Sequence, residues 1–182
     1  MTRLPLLFFV YDEAFGNNPC LQMVKPCGLS MISKLQCNAA LWYPYKGGYS
    51  GHGPHRKYGD NVDYRNIPEK YLESKTIEDG VEERIYQIKV WHKDFHDLLN
   101  VTIIQRIRLK DRNSGYVVLF SDDLGLPHDK MILFYRLRFQ TAFYLDLILK
   151  KNNPEISRSI SFEELQMPIA DIGCIHTYKK AG

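Results

Sequence analysis

Residues 82–121 constrain the fold of this 182-residue chain more than any other stretch. From Glu82 to Trp91, Arg84, Tyr86, Ile88 and Val90 alternate with Ile85, Gln87 and Lys89. From Leu98 to Leu109, apolar Val101, Ile103 and Ile104 give way to basic Arg106, Arg108 and, just beyond, Lys110. Alternation with a period of two is the side-chain period of an extended chain, so both stretches are predicted strands. Asp111-Arg112-Asn113-Ser114-Gly115 is turn chemistry. Tyr116-Val117-Val118-Leu119-Phe120-Ser121 then returns as a buried strand, antiparallel to its predecessor. A chain built around such a hairpin has to organise its core on a sheet.

The flanks extend that sheet. Leu6 to Asp12 is a short apolar run ending in an acid, the pattern of a central strand buried on both faces. Gly16-Asn17-Asn18-Pro19 breaks the chain. Cys20 to Lys25 reads as a short helix or extended piece leading to a second strand, Leu29 to Leu35. Residues 43–68 differ in character. Between Lys46 and Gly59, five glycines are interleaved with Tyr49, His52, His55, Arg56, Lys57 and Tyr58, so a long loop is expected. Ser121 to Pro127 is a second loop. His128 to about Lys150 is the best helix, with Met131, Phe134, Tyr135, Leu137, Arg138 and Ala142 near one face and Asn152-Asn153-Pro154 ending it. Residues 154–182 carry no strong pattern. Strands first, a strand-rich middle, then a strand and a long helix predict an α/β or α+β sheet domain.

Composition narrows the class. A hydrophobic fraction of 45% and an aromatic fraction of 13% belong to a globular chain. A net charge of +3 is compatible with a nucleic-acid partner without being diagnostic of one. Leu4 to Tyr11 is too short to span a bilayer, and Asp12 and Glu13 follow at once. With a lone Arg3 and no small-residue cleavage site after it, the run reads as a strand rather than a signal peptide. Cys20, Cys27, Cys37 and Cys174 form no Cys-x-x-Cys pair, and no His stands at a zinc-ligand spacing from one, which suits reduced thiols in a cytoplasmic protein. His92 and His96 sit four apart, but on a predicted strand end and turn with no third ligand near, so zinc is not expected.

Asp12-Glu13-Ala14-Phe15-Gly16-Asn17-Asn18, and again Phe120 to Gln140, resemble a DDE-type insertion-sequence transposase. Gly28-Leu29 to Lys34-Leu35, Tyr45 to Tyr58, Asp63-Tyr64-Arg65-Asn66-Ile67-Pro68 and Trp91-His92-Lys93 add to the likeness in the same order. It covers roughly residues 4–144 and corresponds to the C-terminal part of the family's catalytic domain. The resemblance implies a partial RNase H-like core over residues 1–144, a β-rich insertion at about 43–112 and a divergent tail at 145–182. It also implies cutting and joining of DNA by phosphoryl transfer on two divalent metals, with Mg²⁺ as cofactor, transposon-end and target DNA as partners, a homodimer as an assembly the intact family allows, and no membrane.

In that family three carboxylates hold the metals, and two magnesium ions about 3.5–4 Å apart clamp the attacking and leaving oxygens. The first carboxylate belongs to a strand expected before this chain begins. Asp12 fits the second, and its Gly-Asn loop is expected to let the chain approach phosphate closely. The third is the Glu of a helical signature: Tyr, two residues, Arg, three residues, Glu, six residues, Lys. Tyr135 and Arg138 match it. Ala142 stands where the Glu belongs, and Leu149 where the Lys belongs, with Lys150 one residue late. Ala has no oxygen, so the resemblance implies a copy impaired in catalysis; Glu13, Asp122, Asp123 and Asp146 are the acids that could be recruited instead. Arg138 is expected on DNA phosphate with Tyr135 beside it. Lys46, Arg56 and Lys57 are expected on phosphates, with Tyr49 and Tyr58 stacking on bases. The alternatives are a DNA-binding or interaction module that lost the chemistry, and an unrelated α/β protein.

Overall fold

A computed structural model describes residues 7–49, 51 and 53–138. It is a mixed α/β chain with few helices, built on a mostly antiparallel sheet of eight strands. The strands are β1 (Phe8–Val10), β2 (Ser30–Leu35), β3 (Leu41–Pro44), β4 (Tyr58–Asn61), β5 (Leu72–Glu78), β6 (Val81–His92), β7 (Leu99–Arg108) and β8 (Ser114–Ser121). Helix α1 covers Asn18–Val24, and residues 128–138 form helix α2. The order across the sheet is β1-β2-β8-β7-β6-β3-β4, with β5 paired to β6. Among the described strands only β1 and β2 pair in parallel.

The long hairpin stands where the alternation put it. Ten residue pairs join β6 to β7, from Val81 opposite Arg108 to Val90 opposite Leu99. Period-two side chains divide its two faces. Tyr86, Ile88, Val90, Leu99, Val101, Ile103, Val118 and Phe120 enter one core with Met31, Leu41 and Leu21 of α1. Ile104, Val117 and Leu119 enter the other, with Ile32 of β2 and Met131 and Tyr135 of α2. The sheet is thus covered by helix on both sides. Burying a Leu- or Ile-sized side chain contributes roughly 1.5–3 kcal/mol, so these two cores dominate the stability.

Several expectations need correction. The first strand is not central. Among the described strands β1 has β2 as its one neighbour and lies at an end of the sheet, and its three residues are only half-buried. Two short strands, β3 and β4, bracket the glycine-rich segment, and Tyr58 and Gly59 belong to β4 rather than to a loop. β5 was not expected at all. It folds back on β6 through Asp79 (φ 49°) and Gly80 (φ 74°), the left-handed pair that a tight two-residue hairpin requires. Asn17, read as a break, instead caps α1: its side chain accepts from the Cys20 amide at 3.0 Å. On α2, Leu137 is 40% exposed and leaves the face it was assigned to. Ala142, Asp146, Lys150 and the 145–182 tail lie outside the described residues. No helix among the described residues is long and apolar enough to cross a membrane.

Candidate functional site

Asp12 follows β1 after one residue, Tyr11. The Tyr11 amide still donates to Ile32 O, at 2.9 Å, so the β1–β2 ladder carries the chain to the site. Asp12 then caps a one-turn 3-10 helix (Glu13–Phe15), its Oδ1 accepting from the Glu13 amide at 2.8 Å. Two residues of β2 hold this turn down. Ser33 Oγ donates to Asp12 O at 2.9 Å, and Lys34 Nζ pairs with Glu13 at 3.1 Å. Gly16 ends the turn against β2, where a Cβ would sit 2.5 Å from Lys34 O. Gly16 therefore packs closely on the strand.

Helix α2 supplies the other two groups. Its start is fixed by two side-chain amides on the sheet, Asn100 buried and Gln87 half-buried. Asn100 Nδ2 donates to Asp123 O at 2.9 Å and to Leu126 O at 2.8 Å. Gln87 Nε2 donates to the same Leu126 carbonyl at 2.7 Å and to Asn100 Oδ1 at 2.9 Å. Polar side chains at these alternating strand positions thus satisfy the backbone of the 121–127 loop, which a buried loop needs. The helix follows at once, with Met131 N bonded to Pro127 O. Met131 and Tyr135 then bury together on the sheet, and Phe134 packs on Phe8 of β1, ring centroids 5.2 Å apart.

This placement brings residues 123 and 126 positions apart in sequence into contact. Tyr135 OH donates to Asp12 Oδ1 at 3.3 Å, and Arg138 Nη1 reaches the same oxygen at 3.0 Å. The guanidinium also lies 4.7 Å from the centroid of the Tyr135 ring. The Asp12 side chain is 63% exposed, whereas that of Arg138 is 18% exposed. Burial pushes the Asp12 carboxyl upward, but the Glu13 amide, Arg138 and the Tyr135 hydroxyl outweigh it and hold it below its ordinary value. Burial raises the Tyr135 phenol, which stays a neutral donor. The cluster is an anionic carboxylate, a neutral hydroxyl and a guanidinium at the mouth of the sheet.

The other sequence-predicted groups do not join it. Lys46, Arg56 and Lys57 lie beside β3 and β4, five and six strand spacings from β1, or roughly 24–29 Å at about 4.8 Å per strand. Arg56 Nε donates to Tyr58 O at 3.0 Å, and Lys57 Nζ to His96 O at 3.0 Å. Tyr49 stacks on His55, centroids 4.0 Å apart. Asp122 and Asp123 hold local structure: Asp122 accepts from the Met31 amide at 2.7 Å and Asp123 from the Gly125 amide at 2.9 Å. Lys34, Gln87 and Asn100 were missed as site-building residues. No local signal marked them, since each stands among other polar residues of its strand.

Whether this donor set suits Mg²⁺ can be judged from its chemistry. Magnesium needs near-octahedral oxygen ligation. Asp12 is a single carboxylate, and its Oδ1 already takes an amide, a hydroxyl and a guanidinium. No group of three His, Cys, Asp or Glu suited to a metal occurs among the described residues. These residues by themselves do not fit a magnesium site.

Comparison with protein-family models, curated proteins and solved structures finds no match.

Proposed function

We propose that the chain is the C-terminal part of an RNase H-like transposase domain of the DDE type, one that engages DNA phosphate but is impaired in cutting it. The observation that carries this reading is the contact of Asp12 with both Tyr135 and Arg138. The resemblance singled out these three residues from two distant segments, and an unrelated chain has no reason to bring them onto one carboxylate oxygen. The parallel β1–β2 pair that leads to Asp12 suits an RNase H-like core as well. In this reading Arg138 offers charge-assisted hydrogen bonds to a phosphate, Tyr135 orients it, and Lys46, Arg56 and Lys57 contact the backbone farther along.

One feature supports impairment: Ala142 occupies the position of the family's Glu. Any magnesium would need a carboxylate from outside the described residues or from another chain.

Retention of duplex DNA on the purified chain tests the proposal. Binding is expected to fall steeply between low and moderate salt and to weaken in Arg138→Gln. Retention indifferent to salt would overturn the DNA reading. Magnesium-dependent nicking of a plasmid, abolished in Asp12→Asn, would overturn the impairment.

A further inference from the structure

At the end of the sheet away from Asp12, Trp42 of β3 stands directly opposite Trp91 of β6. Their strand neighbours Leu41 and Val90 are fully buried, so the period of two turns both indoles to the other face. Tyr58 of β4 meets both edge-on, with centroids 5.7 Å from Trp42 and 6.4 Å from Trp91. All three rings remain partly exposed. Cations surround them. Lys57 Nζ lies 3.7 Å from the Trp91 centroid, Lys93 Nζ 5.1 Å from that of Trp42, and the Arg56 guanidinium 4.9 Å from that of Tyr45.

Lys46, Arg56, Lys57 and Lys93 make no ion pair with a carboxylate among the described residues. Elsewhere on the same sheet three basic groups are neutralised: Arg84 and Lys75 by Glu82, and Arg106 by Glu83. A cluster of unneutralised cations over half-exposed rings is the combination that holds a strand with unpaired bases. Rings supply stacking, and lysines supply phosphate contacts. Stacked duplex bases present only their edges and cannot lie on an indole face. Lys57, held by the Trp91 ring and one exposed hydrogen bond to His96 O, and Lys93, resting on the Trp42 ring, are weakly held in water, so each can swing to a phosphate as a base takes its place.

We propose that Trp42, Tyr58 and Trp91, with Lys57 and Lys93, form a platform for single-stranded DNA. It rests on the DNA-binding reading and adds to it a second site that selects unpaired bases.

The chain contains two tryptophans, Trp42 and Trp91, so indole fluorescence reports on this platform alone. The test titrates the full chain with a single-stranded oligothymidylate, a duplex of equal length and polyglutamate. It follows indole quenching and the anisotropy of end-labelled DNA together. Quenching is expected with the single strand. Trp42→Leu should weaken its binding on the order of tenfold. The double variant Lys57→Gln/Lys93→Gln, which removes no buried group, should flatten the salt slope by about 1.4, at about 0.7 per phosphate. Single-strand binding seen by anisotropy without indole quenching would overturn the platform and leave the DNA reading standing. Duplex binding with equal quenching would overturn its selectivity. Equal quenching by polyglutamate would make it an acidic-protein surface instead. No binding of either DNA at low salt would overturn both proposals.

Discussion

Asn100 is the residue through which the sheet sets the position of helix α2, and replacing it should uncouple the two. The side chain is fully buried. Its Nδ2 donates to Asp123 O at 2.9 Å and Leu126 O at 2.8 Å, and its Oδ1 accepts from Gln87 at 2.9 Å. Asn100→Ala removes three hydrogen bonds, each worth about 1 kcal/mol net. Leu126 O keeps Gln87 as a donor, at 2.7 Å, but Asp123 O loses the side-chain amide. The expected loss is about 3 kcal/mol in urea-induced unfolding, read from the shift in midpoint at constant slope. Asn100→Asp distinguishes hydrogen bonding from packing. The shape is kept, but an acceptor replaces the donor that faces two carbonyls, so the loss should exceed that of Asn100→Ala. Amide hydrogen exchange across residues 128–138 should accelerate in both variants. A loss under about 1 kcal/mol for Asn100→Ala, or an Asn100→Asp variant as stable as the parent, would refute the reasoning.

Other outcomes follow from the same structure. Gly16→Ala places a Cβ 2.5 Å from Lys34 O, and the backbone shift should cost roughly 1–3 kcal/mol in thermal unfolding. The Asp12 carboxyl should titrate below 3.8 by carbon NMR and move up in Arg138→Gln. Because its folded-state value is the depressed one, the stability it adds is present above about pH 4 and lost as pH falls through that lower value. Gly80→Ala, at φ 74°, should destabilise the β5–β6 hairpin by about 1 kcal/mol. β1 is an unpaired edge among the described strands, flanked by exposed Leu7 and Phe15, so the isolated chain should associate as concentration rises in sedimentation experiments. Phe9→Lys should suppress that association, and a monomer at all concentrations would contradict the edge argument.

The hairpin and its partner strand could be read from the sequence because their alternation is a local property. Val90 and Trp91 must face opposite ways whatever the rest of the chain does. The position of β1 could not be read the same way. Its apolar run looks like that of a central strand, and only the count of neighbouring strands, a non-local fact, makes it an edge. β5 was missed because its exposed Glu73, Lys75 and Glu78 hide the strand, although Asp79-Gly80 was a strong turn signal. Within the site, Asp12, Tyr135 and Arg138 were named from the family likeness, but their contact depends on how Gln87 and Asn100 dock a loop. Those amides look like ordinary solvent-facing strand residues until a loop is laid over them. Trp42 and Trp91, 49 positions apart, become neighbours only through strand register.

The carbonyl of Leu126 takes donors from two different strands, Gln87 of β6 and Asn100 of β7. That shared oxygen divides the hairpin into two mechanical parts. Between it and the β6–β7 chain reversal, any change of length or twist is transmitted to the helix carrying Tyr135 and Arg138. On the other side, the Asp79–Gly80 turn and the outer ends of β5, β6 and β7 hang free of the carboxylate cluster. A reporter or an added module belongs at Asp79–Gly80, where the chain can lengthen without moving the helix.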